Sequence, residues 1–193
     1  DLAFGTGGLR GVIGAGTNRM NVYTVAKASQ GLANYVVKQF PEEKRSIAIS
    51  YDSRIKSDLF SKVAAGVFAA NGIRVFIYPQ LMPTPCLSFA VRQLGCAAGV
   101  MVTASHNPSK YNGYKVYGAD GCQITTKAAG EILSEIEALD LFVDVKTMAF
   151  QAGLEAGLIS YIPEEVYTAF VEEVKQQSVL CEAEINKDIA IVY

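Results

Sequence analysis

Apolar residues recur at helical spacing between Asn21 and Phe40, at Val25, Ala28, Leu32, Val36 and Val37, and the run stops before Pro41. That pattern predicts a helix. SIAISY at 46–51 is apolar along its whole length and reads as a buried strand. Residues 57–72 follow as a helix, with Ser57 at the N-cap and Gly72 just past the end. IRVFIY at 73–78 is a second strand. PTPCLSFAVRQLG at 83–95 is a helix with proline near its start and glycine at its end, and AAGVMVT at 97–103 is a third strand. The spacing predicts a further helix over Thr125–Leu139, capped by the Thr125/Thr126 pair. Between 140 and 162 the periodicity fades. It returns over 163–177, where Pro163 lies in the first turn and acidic side chains sit at the positive end of the helix dipole.

Strands that alternate with helices and stay apolar throughout are buried on both faces of a parallel sheet. The expected architecture is therefore a three-layer α/β/α sandwich. YNGYKVYG at 111–118 reads as a fourth strand, joined to the third by a loop too short for a crossover helix, so it must run antiparallel. The expectation is a mixed, mostly parallel, four-stranded sheet. Residues 1–186 are expected to form one domain that includes a connector helix at about 163–177, and 187–193 the first strand of a second domain. The chain opens on Asp1 and ends on IAIVY, a strand-like run with nothing after it to pack on, which suggests a fragment of a longer protein.

Composition narrows the chemistry. Half of the 193 residues are apolar, 19% are charged and the net charge is -2, values of a globular protein with no electrostatic call for nucleic acid. The longest apolar runs fall far short of the roughly 20 residues that cross a bilayer, and DLAFGTGG does not have the form of a secretory signal. Cys86, Cys96, Cys122 and Cys181 are irregularly spaced, with no CxxC pair and no histidine cluster. They read as reduced, buried thiols of a cytoplasmic protein, not as zinc ligands or a disulfide framework.

TASHNP at 103–108 follows a buried strand, and ligands of α/β sheets gather at the carboxyl ends of strands. Ser105 is a candidate nucleophile or phosphate carrier. A Ser-His-Asp hydrolase is disfavoured, because His106 is the only histidine, adjacent side chains on an extended loop point apart, and no GxSxG elbow is present. KYNGYK at 110–115 places two lysines near Ser105; a partly desolvated lysine beside other cations can serve as general acid or base, and Lys115 is the better placed. FGTGGLRG at 4–11 combines glycines that let backbone amides approach an anion with the fork of Arg10. It does not meet the dinucleotide fingerprint, since no strand precedes it and no helix follows at once. YDSR at 51–54 brings Ser53 and Arg54 to the same sheet edge. Three strand-end loops thus converge with phosphate-friendly groups.

Together FGTGGLRG, YDSR, TASHNP and YNGYK, in this order, resemble the first domain of the α-D-phosphohexomutases, the phosphoglucomutases and phosphomannomutases. The longer run FGTGGLRGVIGAGTNRMN is similar to the branch with bacterial phosphoglucomutases and phosphopentomutase-type enzymes. The resemblance implies that Ser105 carries a phosphoryl group and donates it to a sugar monophosphate, forming a bisphosphorylated intermediate that returns its other phosphate. It implies Lys115 as general acid or base, Arg10 and His106 as helpers, and Thr6, Gly8, Arg54, Asn107 and Lys110 as substrate or phosphate contacts. It also implies Mg²⁺ on the phosphoserine and a sugar 1,6-bisphosphate activator. The metal-binding D-x-D-x-D loop of the family is missing from this chain, which leaves Ser105 as the one metal-site residue here and predicts no turnover by the isolated chain. Expected partners are sugar phosphates and the remaining domains, with no nucleic acid and no membrane. Phosphomannomutase or phosphopentomutase specificity, a non-catalytic sugar-phosphate binding module and an oligomerisation domain are the alternatives.

Overall fold

The computed structural model describes residues 2–179, 188–190 and 192. Seven strands form one sheet: β1 (Phe4–Gly5), β2 (Gly8–Val12), β3 (Ser46–Tyr51), β4 (Arg74–Ile77), β5 (Ala98–Val102), β6 (Tyr111–Gly118) and β7 (Ile159–Tyr161). Their order across the sheet is β1-β2-β6-β5-β3-β4-β7. The helices are α1 (Val22–Gln39), α2 (Ser57–Ala70), α3 (Thr84–Gln93), α4 (Thr126–Glu137), α5 (Phe150–Glu155) and α6 (Glu164–Gln176), with one turn of 3₁₀ helix at Glu42–Lys44.

Period-two alternation in the central strands assigns the layers. Ile47 and Ile49 of β3 and Val100 and Val102 of β5 join Val25, Leu32, Phe60, Phe68 and Ile132 from α1, α2 and α4 in one core. Ala48 and Met101, one residue out of phase, join Leu87, Val91 and Val166 from α3 and α6 in the other. The three-layer sandwich is therefore as expected, and the residues buried on both faces are those of the continuous apolar runs.

The sheet itself is larger than the sequence suggested. It has seven strands, not four, and its pairings divide evenly between antiparallel (β1·β2, β2·β6, β5·β6) and parallel (β3·β5, β3·β4, β4·β7), so it is mixed without being mostly parallel. The three extra strands are short or glycine-rich and carry no alternating signal. β1 and β2 form a hairpin out of FGTGGLRG, with Thr6 and Gly7 as its two-residue turn. Ser57 is the first residue of α2, and the preceding Lys56, at φ 64°, occupies the cap position. The Ser57 hydroxyl is turned away from the helix amides because it donates to Asp52. Cys86 and Cys96 are buried free thiols, with Cys96 pushed up to about 11 by burial. Cys122 is exposed, since it lies in the turn after β6 and not in an element facing the core. Of the expected strand at 187–193, residues 187, 191 and 193 are outside the described residues, as is Cys181.

Asn21 starts α1 with a capping box: its side chain accepts from the N–H groups of Tyr23 and Thr24, and Thr24 Oγ1 accepts from the Asn21 N–H. Its Nδ2 also donates to the carbonyls of Gly14 and Gly16, both at 2.9 Å, which ties the loop after β2 to the helix. Asn21→Ala is expected to cost about 1–2 kcal/mol, read as a lower urea midpoint with an unchanged slope.

Candidate active site

Because β3 and β5 run parallel and adjacent, the loops that leave their carboxyl ends lie side by side: Asp52–Arg54 after β3 and Thr103–Lys110 after β5. β6 then returns antiparallel through the same edge, and β2 pairs with its outer side, Arg10 opposite Gly113. Arg10, Gly113 and Lys115 therefore share one sheet face. Gly113 is needed there, since a Cβ would sit 2.5 Å from the Thr103 carbonyl oxygen.

Ser105 stands at the tip of this edge with φ 53°, a left-handed conformation that costs a non-glycine residue free energy and that functional sites often retain. Its N–H donates to Thr103 Oγ1 at 2.9 Å. Its exposed side chain is met by Lys115, whose Nζ donates to Ser105 Oγ at 2.7 Å. Partial burial lowers the Lys115 pKa below the ordinary lysine value, the positive charge of Arg10 lowers it further, and Asp52 works in the opposite direction. Arg10 reaches across from β2 and donates to Asn107 Oδ1 at 3.0 Å.

Arg54 lies against the same loop. Its guanidinium donates to four main-chain carbonyls, three in the serine loop, Ser105 at 2.6 Å, Asn107 at 2.5 Å and Pro108 at 3.2 Å, and one at the start of β6, Tyr111 at 3.1 Å. With only 14% of the side chain exposed and Asp52 at 3.6 Å from Nε, it forms a brace under the loop. His106 and Lys110 are exposed on the same loop, and neither makes a side-chain hydrogen bond among the described residues. Thr6 is exposed at the hairpin turn, while Gly8 is held against β6. An open cleft of about 390 Å³ lies over Asp52, Ser53, Arg54, Ile55, Ser105 and Ser109. A second cavity of similar size, about 410 Å³, is mostly apolar, lies around Ile13–Thr17, Tyr23 and Phe142, and shares no lining residue with the cleft.

Two residues of the site were not singled out by motif reading, although both fall inside the motifs: Asp52 and Thr103. Thr103 Oγ1 donates to Asp52 Oδ2 at 2.5 Å. Asp52 Oδ1 accepts from Ser57 Oγ at 2.9 Å and from the Arg54 N–H at 3.0 Å. Buried Asn112 in turn donates to Ser57 Oγ at 3.0 Å and to the Ile55 carbonyl at 3.1 Å.

Residues 1–142 match the family model described as phosphoglucomutase/phosphomannomutase, alpha/beta/alpha domain I. The chain belongs to this family. Among curated relatives, a phosphoglucomutase of Staphylococcus saprophyticus is 40% identical over 174 residues, which is 90% of this chain and 31% of that protein. A probable phosphoribomutase of Schizosaccharomyces pombe is 50% identical over 124 residues, 64% of this chain and 21% of that protein. The solved structure of a putative phosphomannomutase from Thermus thermophilus superposes with a TM-score of 0.75 at 28% identity, covering 93% of this chain and 36% of the other. The chain thus spans between about a fifth and a third of the length of these relatives. No helix among the described residues is long and apolar enough to cross a membrane.

Proposed function

We propose that this chain is the phosphoserine-bearing domain of a phosphoglucomutase-type enzyme that interconverts sugar 1-phosphates and 6-phosphates through a bisphosphorylated intermediate. The observation that carries the reading is the pairing of an exposed, left-handed Ser105 with Lys115 at 2.7 Å, beside Arg10. Glucose 1-phosphate is the first choice of substrate, with mannose or pentose phosphates as runners-up. The relatives are named for all three chemistries, phosphoglucomutase, phosphomannomutase and phosphoribomutase.

In this reading the phosphate on Ser105 passes to a sugar hydroxyl: the Oγ–P bond breaks, a new sugar O–P bond forms, the sugar hydroxyl releases its proton to solvent, and Lys115 gives its proton to the departing Oγ. In the return step neutral Lys115 takes the proton of Ser105 Oγ as that oxygen attacks the other phosphate of the bisphosphate, the sugar O–P bond breaks, and the leaving sugar oxygen takes a proton from solvent. One lysine serves both directions because it contacts the one oxygen common to both. Phosphoryl transfer asks for positioning and charge stabilisation, which the fork of Arg10, the nearby His106 and Lys110, and the amides around Thr6 and Gly8 supply. Arg54 contributes by bracing the loop.

Mg²⁺ belongs to the same proposal. Among the described residues no group of three His, Cys, Asp or Glu side chains could hold a metal ion, and the ligand position in this reading is a phosphate oxygen on Ser105. Carboxylate ligands would come from another domain. When bound, the ion neutralises charge on the transferring phosphoryl group. A sugar 1,6-bisphosphate would restore the phosphate on Ser105, and the free thiols of Cys86, Cys96 and Cys122 support a cytoplasmic setting.

The test is peptide mass spectrometry of the full-length protein after incubation with glucose 1,6-bisphosphate and Mg²⁺. Phosphate on the peptide containing Ser105, absent from Ser105→Ala, is the expected result. A folded protein with an unmodified Ser105 would shift the reading to a sugar-phosphate binding module.

A further inference from the structure

The geometry points to Asp52 as a positioning residue for phosphoryl transfer, acting through Thr103 to hold Ser105 in its left-handed conformation and through Ser57 and Asn112 to register the strand that carries Lys115. This inference rests on the function proposed above. The argument begins with proton counting. A carboxylate only accepts hydrogen bonds, and a hydroxyl has one proton to give. Thr103 Oγ1 lies 2.5 Å from Asp52 Oδ2 and so must donate to it, which leaves its lone pairs to accept the Ser105 N–H at 2.9 Å.

The same logic runs the other way. Ser57 Oγ donates to Asp52 Oδ1 and therefore accepts from Asn112 Nδ2. Asn112 Oδ1 accepts the N–H of Gly113, two residues before Lys115 on β6. Asp52 is thus the common end of two directed chains of hydrogen bonds, one from the nucleophile's backbone and one from the general acid's strand. The side-chain donors in both chains belong to buried residues, Thr103, Ser57 and Asn112. Buried networks of this kind fix one arrangement when every member is satisfied. In Asp52→Asn an amide replaces one acceptor oxygen. With Oδ1 kept for Ser57 and the Arg54 N–H, its NH₂ faces Thr103, whose own proton then lacks a partner and whose orientation towards Ser105 is lost.

The test compares Asp52→Asn, Thr103→Val and Thr103→Ser in the full-length polypeptide. It reads kcat and KM for glucose 1-phosphate and, independently of activity, hydrogen exchange at the Ser105 amide. Asp52→Asn and Thr103→Val are expected to lower kcat about 10²-fold, the scale of a misplaced reacting group, with KM little changed and Ser105 exchange faster. Thr103→Ser keeps the hydroxyl and should recover most of the rate. The double variant should be no slower than the slower single variant, because both lesions cut one chain. A wild-type kcat in folded Asp52→Asn, additive losses in the double variant, or unchanged Ser105 exchange overturns the inference. If Asp52→Asn does not fold, Thr103→Val against Thr103→Ser decides. A wild-type protein without phosphate on Ser105 would refute the functional reading alone, and the exchange data would still decide the positioning role.

Discussion

Lys115→Met in the full-length polypeptide is expected to lower turnover about 10²–10⁴-fold, the usual contribution of a positioned general acid or base, while the melting temperature stays close to wild type. Methionine keeps an unbranched stem of similar reach, so the packing of Lys115 on β6 survives and only the amine is lost. Among the described residues that amine is the one group that hydrogen-bonds to Ser105 Oγ. Its pKa is lowered first by burial and then by Arg10, which eases loss of its proton; a phosphate dianion arriving on Ser105 adds negative charge and favours regaining it. Lys115→Arg separates proton transfer from simple charge stabilisation. Arginine is charged at every working pH, so it restores activity if Lys115 acts only as a cation and fails with methionine if Lys115 moves a proton. Steady-state rates of the three proteins decide, and full activity in Lys115→Met would remove the residue from the chemistry.

The central strands β3 to β6 and the five longest helices could be read from the chain because each carries a strong periodic or continuous apolar signal. The edges could not. β1 is two residues long, β2 is interrupted by glycine and arginine, and β7 is three residues preceded by a six-residue helix. In all three the pairing partner, not the local pattern, makes the strand. The site shows the same division. Ser105 and Lys115 stand in motifs that can be recognised as strings, and the strand order brings them together. Asp52 and Thr103 work by proton direction among small polar side chains, which leaves no periodicity to detect. Arg54 was legible as a cation on the right edge, but composition cannot say whether a guanidinium meets a phosphate or four carbonyls; that depends on how the serine loop folds back over it.

Gly8 illustrates the point sharply enough to test, since the family resemblance counts it among the phosphate contacts while its surroundings demand a glycine for packing. Its φ is 73°, and a Cβ would lie 1.8 Å from the carbonyl oxygen of Tyr114. That oxygen belongs to the strand paired with β2, where Leu9 faces Tyr114, and it cannot retreat without breaking the ladder next to Lys115. Gly8→Ala therefore combines left-handed strain of about 1–2 kcal/mol with overpacking of about 1–3 kcal/mol. A loss of about 2–5 kcal/mol is expected, a large share of the stability of any domain. Gly7, its neighbour in the turn, has nothing within 4 Å of its ideal Cβ and no positive φ, so Gly7→Ala is the internal control and should melt near wild type. If Gly8 acts only by offering its amide to a phosphate, the two alanine variants will melt alike and Gly8→Ala will show its defect in KM. If the close approach to Tyr114 governs, Gly8→Ala will melt well below Gly7→Ala, and whatever activity remains will be limited by the displaced register of Lys115.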